Sequence, residues 1–66
     1  SSQMQSNLVK DILLSIENLY KISNKREVEK IQDEFYEIYE TEDVAKLQRF
    51  SRQLDMIAEN YKAQSI

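Results

Sequence analysis

The side chains available for chemistry in this sequence are carboxylates, amines, amides and hydroxyls, because it holds no His and no Cys. Without those two there is no imidazole base, no thiolate nucleophile, no His-based triad, no disulfide and no ordinary ligand set for structural zinc or haem. Gly and Pro are absent as well. That removes the Gly-rich loops that cradle phosphates and dinucleotides, which need positive φ and close backbone approach. Conventional enzymology is left without its usual parts, and neither a cofactor nor a metal is expected.

What remains is mostly acidic. Asp33, Glu34, Glu37, Glu40, Glu42 and Asp43 fall within eleven residues that contain no Lys or Arg. A calcium loop would need the alternating D-x-D-x-D-G order with its Gly, so the run reads either as a solvated helix face or as an acidic patch for a basic partner helix. Lys46, Arg49 and Arg52 make only a short basic row in a chain of net charge -3. That is too little to neutralise a phosphate backbone, so nucleic acid is not expected; the row is expected instead to answer the acids that precede it.

The elements that must position these groups are helical, since no residue in the chain breaks a helix. Leu8, Val9, Ile12, Leu13, Ile16, Leu19 and Tyr20 recur at the 3 and 4 spacing of one helical face. They predict a helix over about 7 to 22, with Ser6 or Asn7 as its N-cap. Ser23-Asn24-Lys25-Arg26 is the candidate turn, because Asn24 and Glu27 have capping-box spacing. Val28, Ile31, Phe35 and Ile38 form a 3, 4, 3 seam, giving a helix over about 25 to 40. Leu47, Phe50, Leu54, Ile57 and Tyr61 form the third, over about 42 to 63. Leu47 lies about 180° around from Ile38 at 100° per residue, so a straight rod would carry two opposed apolar faces. A reversal near residues 39 to 43, with Thr41 as N-cap and Glu42 and Asp43 in the first turn, points both seams inward.

The expected fold is therefore all-α: one domain, residues 1 to 66, as a small antiparallel three-helix bundle. The alternative is a helical hairpin that completes its core by dimerising. Apolar residues at 41% are too many for a disordered tail, yet a chain this short buries only roughly 60% of its unfolded surface. Partner binding or self-association is expected to help it. No run approaches the ~18 apolar residues of a membrane span, no membrane is expected as a partner, and the absence of Cys fits a reducing compartment, so an intracellular, cytoplasmic protein is expected. The polar stretches at 1 to 6 and 64 to 66 read as frayed ends, and the initial Ser as the start of an excised or processed chain.

Three large apolar residues miss their stripes. Leu14 and Met56 lie about 160 to 180° from their seams and Tyr36 about 110° from its own, one per helix. They are the candidate partner-binding residues, suited to a partner helix or a symmetry mate. Tyr20, Tyr39 and Tyr61 sit on stripes and read as rim packing with the hydroxyl reaching water.

The stretch Phe50-Ser51-Arg52-Gln53-Leu54-Asp55-Met56-Ile57, with Tyr61 beyond, resembles the S-Q-E-L-D signature of the small aspartyl-phosphate phosphatases that act on the sporulation response regulator of bacilli. Val28-Glu29-x-Ile31-x-x-Glu34-Phe35-x-x-Ile38 is similar to that family's first helix, so the resemblance covers about residues 28 to 62. It implies a two-helix protein in which Asp55, with Ser51 one turn earlier, is the functional carboxylate. Such a carboxylate would orient a water against a partner's phosphoaspartate, the metal being supplied by the partner.

Three functions are thus carried forward. The leading one is a non-catalytic protein-interaction module that docks a partner helix or self-associates. The second is a regulator that dephosphorylates a response regulator. The third is a fragment of a longer coiled-coil scaffold.

Overall fold

The computed structural model describes residues 2–64 and contains α1 (Ser2–Ile22), α2 (Lys25–Thr41) and α3 (Val44–Gln64). Only Ser23-Asn24 and Glu42-Asp43 separate the helices, and links this short force consecutive helices to reverse direction. Cross-helix bonds agree: Tyr20 near the end of α1 reaches Gln32 of α2, and Tyr61 near the end of α3 reaches Glu27 at the start of α2. α1 and α3 accordingly run the same way, within an envelope of 40 × 18 × 15 Å. This is the three-helix bundle expected from the seams. α1 supplies from the same chain the third wall that a dimerising hairpin would take from a second copy. No helix among the described residues is long and apolar enough to cross a membrane.

The core is built from the predicted stripes. Ile12, Ile16 and Leu19 of α1, Val28 and Phe35 of α2, and Leu47, Phe50 and Leu54 of α3 are all buried. Burial of each such side chain is worth roughly 1.5 to 3 kcal/mol, and Leu8, Val9, Ile31, Ile38, Ile57, Ala58 and Tyr61 pack around them. Phe35 stacks on Phe50 with ring centroids 6.2 Å apart, joining α2 to α3. No polar or charged side chain among the described residues is buried, so no desolvation penalty opposes this core.

The turns combine expected and unexpected chemistry. Asn24 caps α2 as its spacing predicts, its Oδ1 accepting from the Glu27 amide at 2.9 Å. The cap of α3 differs. Thr41 is the last residue of α2, where its hydroxyl donates to the Ile38 carbonyl at 2.6 Å and accepts from the Asp43 amide at 3.3 Å. Asp43 takes the capping role instead, its Oδ1 accepting from the Lys46 amide at 3.2 Å. The two-residue shift follows from Glu42, which adopts the left-handed conformation at φ 59° and donates its amide to the Tyr39 carbonyl. A left-handed residue after the last turn is how a helix closes its free carbonyls before reversing.

α1 also begins earlier than the stripe implies, at Ser2, so Ser6 and Asn7 are helical residues rather than caps. No breaker interrupts residues 2 to 6, and Gln3 Nε2 donates to Asn7 Oδ1 at 3.2 Å across one turn. Residues 2 to 6 and 64, predicted as frayed ends, are helical; 1, 65 and 66 lie outside the described residues. Within the α1 stripe Leu13 departs from burial at 41% exposed, as does Tyr20 at 40%. Leu13 sits about 100° round from Ile12, whereas Ile12, Ile16 and Leu19 share an arc of about 60°.

Candidate functional site

Ser51 and Asp55 stand one turn apart on α3, Ser51 half-buried and Asp55 exposed. Residue 55 follows core Leu54 by one position, which turns it about 100° toward the flank. There it lines an open groove of about 560 Å³ between parallel α1 and α3, with Ser15, Asn18 and Ile22 on one wall and Ala58, Glu59 and Lys62 on its own. A two-helix protein would have no α1, so the α1 wall opposite Asp55 is particular to this fold. No ion pair holds Asp55 among the described residues. Nor do three or more acidic side chains converge there as a metal ion would require.

Leu14, Tyr36 and Met56 are all exposed, at 58%, 48% and 67%. They do not share a surface. Leu14 and Met56 each follow a buried residue, Ile12 and Leu54, by two positions, which is about 200° of rotation away from the core. Outward faces of different helices in a three-membered bundle diverge, so these two point into separate regions of solvent. Tyr36 is turned only about 100° from Phe35 and lies on the flank where α2 meets α1.

That flank gathers Tyr20 and Tyr39, which the sequence pattern placed on stripes, with Gln32 and the off-stripe Tyr36. The Tyr20 hydroxyl donates to Gln32 Oε1 at 3.1 Å, and Gln32 Nε2 donates to the Tyr36 oxygen at 3.3 Å, so one amide bridges a tyrosine from each helix. The Tyr36 and Tyr39 rings lie 5.7 and 5.8 Å from that of Phe35. Tyr39 closes a shallow groove with Ser2, Gln5, Ser6, Val9 and Lys10 of α1. Tyr20 and Tyr39 are 40% and 48% exposed. Sequence reasoning assigned both to rim packing; the signal available was that each falls at the edge of its stripe rather than its centre.

The charges are arranged differently from the expected pairing. Lys46, Arg49 and Arg52 form no ion pair with the preceding acids, the ion pair among the described residues being Lys25 with Glu29 at 3.8 Å. Asp43 is already committed to capping α3, and Asp33, two positions before buried Phe35, is turned about 200° from the core onto the outward face of α2.

No protein family, no curated protein and no solved structure matches the chain.

Proposed function

We propose that this chain is a non-catalytic protein-interaction module, a small helical bundle that docks a partner helix or a copy of itself in the cytoplasm. The observation that carries the reading is the excess of exposed apolar surface over a core that is already closed. Leu14, Tyr36, Tyr39 and Met56 remain 48% to 67% exposed while eight other apolar side chains fill the interior. The accessible surface of 5044 Å² also exceeds the ~4,400 Å² of a typical monomer of this mass, in keeping with an elongated bundle that offers its flanks. Large apolar and aromatic side chains on a polar surface carry most of an interface's energy.

Sedimentation equilibrium of the chain alone and with candidate partners tests the reading. Replacing Leu14, Tyr36 and Met56 one at a time with Ser should weaken association roughly tenfold or more in at least one variant while helicity is kept. Variants that unfold yet still associate would show these residues to be structural and sink the proposal.

A second reading rests on Asp55, whose exposed carboxylate lies in the α1–α3 groove with Ser51 one turn before it. Under it the chain dephosphorylates a response regulator, and Asp55→Asn removes that activity without altering the melting temperature, because an exposed carboxylate adds little stability. A parent protein inert toward phosphorylated response regulators would end this reading.

A further inference from the structure

We infer that the turn at Glu42 is a hinge through which two copies of this chain exchange α3, with α2 and α3 joining into one continuous helix and each α3 completing the core of the other copy. The contact is made by the core seams and not by Leu14, Tyr36 or Met56, so it goes beyond the interaction-module reading and stands or falls separately from it.

Glu42 is the residue with positive φ among those described, at 59°, and its Cβ is crowded in that conformation. The link it belongs to is two residues long, and short links under strain favour domain exchange. Nothing at the turn forbids a helix, since the chain holds no Gly or Pro and Glu is a good helix former. The other link differs: Asn24 sits at φ -81° and ψ 150°, the relaxed geometry of an N-cap, so the α1–α2 hairpin stays closed.

Continuing the helix strands no backbone group. The Tyr39 and Ile38 carbonyls, held in the closed turn by the Glu42 amide and the Thr41 hydroxyl, take ordinary helical partners four residues on. Glu42 then stands four residues before Lys46, the favourable order for an ion pair on one helix; in the closed turn Lys46 forms no ion pair. What the open form gives up is the Asp43 cap on α3.

The partner is fixed by the surfaces that opening exposes. In the continuous helix Ile38 and Leu47 lie about 180° apart, so α3 turns its apolar face away from its own α1 and α2. Leu47, Phe50 and Leu54, buried in the closed chain, then need a matching seam. The one that fits is the α1–α2 hairpin of a second copy whose own α3 has left. Residues 25–64 as one helix reach about 60 Å at ~1.5 Å per residue, against the 40 Å length of the closed chain.

The test refolds the chain from denaturant at high protein concentration and follows its mass by sedimentation equilibrium. A dimer is expected, and in a mixture of isotope-labelled and unlabelled chains the Phe35–Phe50 ring contact should be found between chains by filtered nuclear Overhauser spectra, while the Tyr20–Gln32 contact stays within one. Glu42→Ala should dimerise at least tenfold more tightly than Glu42→Gly, because Ala is crowded at positive φ and favours helix whereas Gly does neither, and each dimer holds two hinges. A chain that stays monomeric after refolding, or equal dimerisation of the two variants, overturns the inference. So does a dimer whose Phe35–Phe50 contact remains within one chain; if Leu14→Ser, Tyr36→Ser or Met56→Ser weakens that dimer, the interaction-module reading stands without the exchange.

Discussion

The Tyr61 hydroxyl donates a hydrogen bond to the Glu27 carboxylate, joining the last turns of α3 to the first turn of α2 across 34 residues of sequence. The same carboxylate accepts from the Ser23 hydroxyl at 3.4 Å, and the Glu27 amide is held by Asn24. One side chain thus ties the α1–α2 turn to α3. Removing the hydroxyl with Tyr61→Phe keeps the ring in the packing and deletes the bond, which should cost about 1 kcal/mol and lower the melting temperature by roughly 4 to 8 °C. An unchanged melt by circular dichroism would mean that this tie contributes nothing.

Phe35→Ala and Leu54→Ala should each cost roughly 2 to 5 kcal/mol. Both side chains are almost fully buried, and Phe35 also carries the stack on Phe50. Against a total stability of about 5 kcal/mol or less for a domain this small, a loss at the upper end of that range is enough to unfold the chain at room temperature. Denaturant titration reads the loss, and parent-like midpoints for both variants would show the seams to be wrongly assigned.

Glu42 pays a steric penalty of about 1 to 2 kcal/mol for a left-handed backbone, so Glu42→Gly should raise stability by about 0.5 to 1 kcal/mol once the looser unfolded chain is counted. At the neighbouring position, Asp43→Ala deletes the cap of α3 and should cost about 1 kcal/mol. Thermal melts of the pair decide the turn: a destabilised Glu42→Gly variant would contradict the φ of 59° at this residue.

Leu14→Ser and Met56→Ser should change stability by no more than about 0.5 kcal/mol, since both side chains face solvent. Tyr36→Ser should cost somewhat more, about 1 kcal/mol, because its ring packs on Phe35 and its oxygen accepts from Gln32. Equal losses for all three, measured by denaturant midpoint, would show that Tyr36 is no better anchored than the other two.

Much of the fold follows from the sequence alone. A repeat of 3 and 4 places residues on a common face whatever surrounds the helix, so all eight buried side chains are legible as seam positions. The phase reversal between Ile38 and Leu47 likewise requires a turn between them, and Asn24 with Glu27 marks the other. What periodicity cannot supply is the rotation of each helix against its neighbours, because that depends on how three surfaces pack at once. Packing left Leu13, Tyr20 and Tyr39 half in water on the α1–α2 flank, and it left Arg49 and Arg52 without ion pairs to the acids that precede them. The same holds at the second turn, where the left-handed residue at 42 moved the cap from Thr41 to Asp43. A capping side chain is chosen by where the backbone turns, and the backbone turns where the packed helices require it.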